Sequence, residues 1–170
     1  MRRRLVTLIL FACLAGARAD TSDAWADWAP LLGSWEAGPA DAGGAKGGFT
    51  LERALDGKVL VRKNHAEYPP EKDRPAAVHD DLMVVYHGAG GTYADYFDSE
   101  GHVIHYQVTL TPASKKLVFL SDVQPGAPRY RLSYDYAAND TLALAFDITP
   151  PNAPDAFKTY LHATIHRAGK

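Results

Sequence analysis

His65, in Arg62-Lys63-Asn64-His65, and His105, in Ile104-His105-Tyr106-Gln107, are the histidines best placed to do chemistry, because each lies inside a β-forming run. Alternate side chains of a strand share a face. Arg62 and Asn64 therefore point the same way, flanked by Leu60 and Ala66. His105 shares a face with Gln107, against Ile104, Tyr106 and Val108. Near the C-terminus Tyr160 and His162 form a third such pair. Arg62, Asn64, His105, Gln107, Tyr160 and His162 together are the set expected to line a cavity. There they would orient the polar end of a ligand against an apolar wall. The competing reading is that each simply faces solvent, as histidine often does.

Other patterns offer less. His162 and His166 are four residues apart, a spacing that gathers metal ligands on a helix but separates them by about 13 Å on a strand. His102 and His105 point to opposite faces of a strand. A metal centre would require pairing across strands, and no ligand set is expected from spacing alone. The adjacent carboxylates Asp80 and Asp81 also diverge, and Asp98-Ser99-Glu100-Gly101 reads as a hairpin turn whose side chains bond their own backbone. Neither Ser121-Asp122 nor His79-Asp80 belongs to a visible triad, and no nucleophile elbow is present. Gly88-Ala89-Gly90-Gly91 lacks the strand-to-helix setting of a phosphate loop and reads as a turn. No catalytic residue is assigned.

The elements that must position these residues are short. Apolar and aromatic runs predict strands at 49–54, 58–68, 80–87, 92–98, 103–110, 116–122, 129–136, 142–148 and 157–167, after a first strand containing Trp35. Asp56-Gly57, Ser99-Glu100-Gly101, Pro125-Gly126 and Asn139-Asp140 supply turns between them, and residues 37–48 read as a loop. Two strands show the two-residue period cleanly: Tyr130, Leu132, Tyr134 and Tyr136 share one face, as do Leu142, Leu144, Phe146 and Ile148. About ten strands in an open sheet would leave long edges. An all-β, antiparallel, closed barrel is the expected fold.

The N-terminus carries a different message. Arg2, Arg3 and Arg4, an apolar stretch from Leu5 to Ala12, and Ala17-Arg18-Ala19 have the layout of a secretory signal peptide over residues 1–19. Residues 20–170 would then be one domain, periplasmic or secreted. Cys13 follows Leu10-Phe11-Ala12, a loose likeness to a lipoprotein box that makes a lipid anchor the minority alternative. Cleavage after Ala19 removes the sole cysteine, and with it disulfides and thiol chemistry. It also removes four of the 18 Lys and Arg, leaving 14 against 20 Asp and Glu, a net of −6. That balance offers no basic stripe for nucleic acid. No later apolar run is long enough to be an integral membrane segment. Oligomeric state is not legible.

Gly33-Ser34-Trp35 on the first strand resembles the Gly-x-Trp signature of the calycins, the lipocalin and fatty-acid-binding barrels. "FTLERALDGKVLVRK" and "YADYFDSEGHVIHYQVTL" are similar to lipocalin-like domains of exported bacterial proteins, over about Leu31 to Arg167. The resemblance implies that Trp35 lies across one barrel end beneath a basic residue from the chain terminus, a part that Arg167 would take. A guanidinium over an indole contributes about 0.5–2 kcal/mol. "YLHATIHR" is similar to the last strand of the haem-binding nitrobindin barrels, but Tyr160 stands where those carry the iron-ligating histidine. Phenolate also ligates haem iron, so haem held by Tyr160 or His162 is the first alternative. A cavity isomerase or lyase is the second, and a filled barrel serving protein interaction the third. The leading expectation is non-catalytic binding of a small, mostly apolar molecule without a cofactor.

Overall fold

In the computed structural model, residues 23–38, 45–136 and 140–169 are described. The expected signal segment, residues 1–19, and Cys13 within it lie outside the described residues. Ten strands close into one antiparallel barrel: β1 (Gly33–Ala37), β2 (Lys46–Ala54), β3 (Val59–Tyr68), β4 (Ala77–Gly88), β5 (Gly91–Asp98), β6 (Val103–Thr111), β7 (Lys116–Ser121), β8 (Tyr130–Asp135), β9 (Thr141–Ile148) and β10 (Lys158–Arg167). Each strand pairs with its neighbours in sequence, and β1 closes the ring by pairing with both β2 and β10. Two boundaries move by more than one residue relative to the sequence expectation. β2 starts within the glycine-rich stretch expected to be loop, and β4 reaches back to Ala77.

Gly48 explains the first difference. A Cβ there would meet the Trp35 carbonyl oxygen at 2.2 Å, so glycine lets β2 press closely against β1. What reads as loop composition is a strand built for close approach.

The closed end is sealed by a 3₁₀ turn over Ala26–Leu31, whose Trp28 and Leu31 are buried together with Trp25 just ahead of it. Buried indoles keep their N–H groups satisfied: Trp25 donates to the Gly57 carbonyl and Trp35 to that of Leu31, both at 2.9 Å. The Arg167 guanidinium lies 4.3 Å from the Trp35 ring centre. It donates to the carbonyls of Leu32 and Pro30, each at 2.8 Å, and to Asp140 Oδ1 at 2.7 Å.

Above this seal the interior is full. Trp35, Phe49, Tyr134, Phe119, Tyr106 and Tyr96 form a chain of ring contacts, with centroids 5.7–6.4 Å apart and mostly edge-to-face. Leu60, Met83, Val85 and Leu142 fill the spaces between. A void of about 10 Å³ is left among them, the room of a single water. Small barrels bury one face of every strand and commonly fill with side chains. The lower half of this one therefore has no space for cargo. None of the described helices is long and apolar enough to cross a membrane.

Arg167→Ala is expected to cost about 2 kcal/mol, from the cation–π contact and the hydrogen bonds of a partly exposed side chain. Arg167→Lys should recover less than half, because an ammonium cannot fork to two carbonyls while lying flat on an indole. Urea unfolding midpoints test this, and an unchanged midpoint for Arg167→Ala would show that the seal contributes nothing.

Candidate functional site

Strand register gathers the charged interior residues at the open end. Asn64, Asp81 and Asp98 lie directly across from one another on β3, β4 and β5. The next row down holds Arg62, Met83, Tyr96 and Ile104, and Ala66 and His79 form the row above. All of these residues follow the inward parity set by Leu60, Val85 and Ala94. Carboxylates facing each other across strands repel, so Asp81 and Asp98 each require compensation.

Asp81 finds it in Arg62 and His79. The Arg62 guanidinium forms an ion pair with Asp81 in which both side chains are less than a tenth exposed. Arg62 Nη2 also donates to Asn64 Oδ1 at 3.2 Å, and the guanidinium lies 4.7 Å from the Phe49 ring centre. Burial alone would lower the pKa of Arg62, but Tyr134 and Asp81 more than offset this and the charge is retained. Arg62 Nε and the Tyr134 hydroxyl are buried without a hydrogen-bond partner among the described residues. Such groups cost about 1–3 kcal/mol each.

His79 bridges the barrel wall and the β5–β6 turn. Its Nδ1 lies 2.8 Å from Glu100 Oε2, while Nε2 lies 3.1 Å from the Tyr96 hydroxyl and 3.4 Å from Asp81 Oδ2. The Asp81 carboxylate, and then Glu100, raise its pKa to about 9 against partial burial. Asp98 is compensated locally: it accepts from the backbone N–H of Glu100 at 3.1 Å and of His102 at 2.8 Å, and its Oδ2 is 2.9 Å from the His102 ring. Burial opposes its ionisation, yet the His102 contacts hold its pKa below the ordinary carboxylate value. Tyr96 is pushed upward by burial and by Asp81, so its hydroxyl stays protonated.

The facing wall, from β8, β9 and β10, is apolar. Tyr130 and Phe146 stack with ring planes 2° apart, and Leu144, Leu161 and Ala163 continue the surface, all half-buried. At this end β3–β5 thus present charged and hydrogen-bonded side chains, and β8–β10 aromatic and aliphatic ones.

The six residues expected to line a cavity separate into three groups. Arg62 and Asn64 are inside, in contact with each other. His105, Gln107 and His162 are on outer faces and exposed. His105 instead pairs with Asp95 and stacks near Tyr93 at 6.1 Å. Hydrophobic alternation decides these orientations: Ile104, Tyr106 and Val108 claim the interior on β6, as Leu161, Ala163 and Ile165 do on β10. Tyr160 sits at a β-bulge between Thr159 and Leu161, 74% exposed, with its ring 6.4 Å from Phe146. It belongs to the rim. Of the two alternative haem ligands, His162 is therefore outside and Tyr160 at the edge.

His79, Asp81, Tyr96 and Asp98 are interior polar residues outside the set expected from sequence. The signal was there: His79-x-Asp81-x-Met83-x-Val85 has the period of one face, ending in residues that are plainly core. No known family matches the chain, and no curated protein matches it either.

Arg62→Met should destabilise the fold by about 3 kcal/mol, because it strands a buried carboxylate, and Arg62→Met/Asp81→Asn should regain much of that loss. Denaturant titration of the single and double variants decides the point; a double variant no more stable than Arg62→Met would show the pair is not the source. A histidine whose pKa rises on folding stabilises most when protonated. The His79 contribution should be complete below pH 6.5 and fade as pH rises to about 9. The matching fall in urea midpoint should shrink in His79→Gln; an identical pH slope in the variant would refute the assignment.

Proposed function

We propose that this protein is an exported, calycin-type carrier. It would hold a small, mostly apolar molecule at the open end of the barrel without transforming it. Export rests on the charged, apolar and small-residue layout of residues 1–19, and calycin kinship on Gly33-Ser34-Trp35 together with the ten-strand antiparallel closure.

One observation carries the binding reading. Inward-facing Ile104, Tyr130, Leu144, Phe146 and Ala163 remain only partly buried at the open end, although the interior below them is packed. Apolar area left in a wet cup is unfavourable by about 25 cal/mol per Å², and a ligand that covers it recovers that free energy. The polar wall constrains the rest of the molecule. Arg62 is already neutralised by Asp81, and Asp98 and His79 have their own partners. A free acid would have to break the buried ion pair, which is costly. The favoured ligand has a neutral polar end, such as a carbonyl or hydroxyl, within reach of Asn64 or Tyr96. Its apolar body rests on Tyr130 and Phe146. Because the lower barrel is full, it occupies the mouth rather than the whole interior.

Nile red, a neutral apolar dye, should bind saturably at one per chain, and Phe146→Ala should weaken it about tenfold, equivalent to about 1.4 kcal/mol of lost contact. Native mass spectrometry of protein purified from its exporting host should show a carried mass that Phe146→Ala reduces. Absence of both saturable dye binding and a carried mass would remove the carrier reading.

A further inference from the structure

We propose that His79, Asp98 and Glu100 form a divalent-metal site at the rim of the open end, suited to a borderline ion of the Zn²⁺ class. One ligand atom from each of the three residues lies within 4.8 Å of the others. They come from three places in the chain, the inward face of β4, the last residue of β5 and the turn that follows. Only the folded register brings them together.

The donor set has the right chemistry. One imidazole nitrogen and two carboxylates suit a borderline divalent cation, and a neutral imidazole with two carboxylates carries the matching charge of −2. His79 presents Nδ1 to the Glu100 carboxylate, while Nε2 faces Tyr96 and Asp81 inside the barrel. A metal-binding histidine is normally oriented in this way, with its second nitrogen held by a carboxylate or another polar group. Here that carboxylate is itself fixed by Arg62. Asp98 is equally restrained. Of the roughly four lone-pair positions on a carboxylate, three are taken by the Glu100 and His102 backbone N–H groups and the His102 ring, leaving one for a cation.

The turn is also held against the strand that carries His79. Ser99 N–H donates to the Asp80 carbonyl at 2.9 Å, and Asp80 N–H to Ser99 Oγ at 3.2 Å. Access is open, since the Glu100 side chain is 46% exposed and that of His79 25%. The outer-face group of His65, Asp80 and Glu67 is a useful contrast. Both ring nitrogens of His65 contact exposed carboxylates, at 2.7 and 3.4 Å, and no buried group orients the ring.

The experiment is calorimetric titration of Zn²⁺ into the EDTA-stripped, full mature chain at pH 8, where the ion must displace the proton that His79 retains in its absence. One Zn²⁺ should bind per chain. Glu100→Gln, a change at an exposed turn side chain whose fold is verified by circular dichroism, should weaken binding at least tenfold, and His79→Ala more. His65→Ala should bind as the wild type does. The proposal is overturned if no saturable binding appears, if Glu100→Gln binds with wild-type affinity, or if His65→Ala abolishes the site. In those cases His79 and Glu100 are an ordinary ion pair. Nile red binding reports on Phe146 and is read separately, so either proposal can fail without the other.

Discussion

Closure of the sheet depends on a five-residue strand. Among the described residues β1 is the link between β2 and β10, and its Trp35 lies between Phe49 on one side and the Arg167 guanidinium on the other. Arg167 reaches over the indole to the carbonyls at the end of the 3₁₀ turn. The last strand is thereby tied to the first segment of the described chain by one side chain. Short strands contribute few ladder hydrogen bonds, so packing across the seam must supply what length does not. Trp35 is thus primarily a structural residue.

Closure brings an obligation. Every strand turns one face inward, and a ten-strand ring of this kind must either fill or hold something. The filling runs upward from the seal as a continuous chain of aromatic contacts, ending at Tyr96 and Tyr106. Charge then appears where the packing stops. Arg62 is the transition: its guanidinium rests on the Phe49 ring and pairs with Asp81. A buried charge is tolerated only with a partner and hydrogen bonds. The polar residues above Arg62 therefore form one connected cluster rather than scattered groups. The apolar wall opposite has no such internal partner, and on this asymmetry the proposed carrier reading rests.

The fold was legible because its signals are local. Two-residue alternation in Tyr130–Tyr136 and Leu142–Ile148, and the turn chemistry of Asp56-Gly57 and Ser99-Glu100-Gly101, each act within a few residues. Facing was less legible than the fold: His105 and Gln107 were expected inside, yet Ile104, Tyr106 and Val108 turn inward and send both out. An inward His162 follows the family likeness, but Leu161, Ala163 and Ile165 claim that interior by polarity, which prevails in a filled barrel. Tyr160 escaped the period altogether, since the bulge beside it interrupts the alternation.

From the amino-acid sequence alone come the strands, their turns, the all-β barrel and the shared face of Arg62 and Asn64, with the indole and guanidinium at one end as what a family likeness implies. Tertiary structure decided which strands' charges meet: Asp81 opposite Asp98, Arg62 against Asp81, His79 against Glu100. It also decided how far the packing rises before the interior opens. The reason is physical. Facing follows from the period of a single strand, whereas neighbours across strands follow from register, which is fixed only when turns, bulges and closure act together on residues distant in sequence.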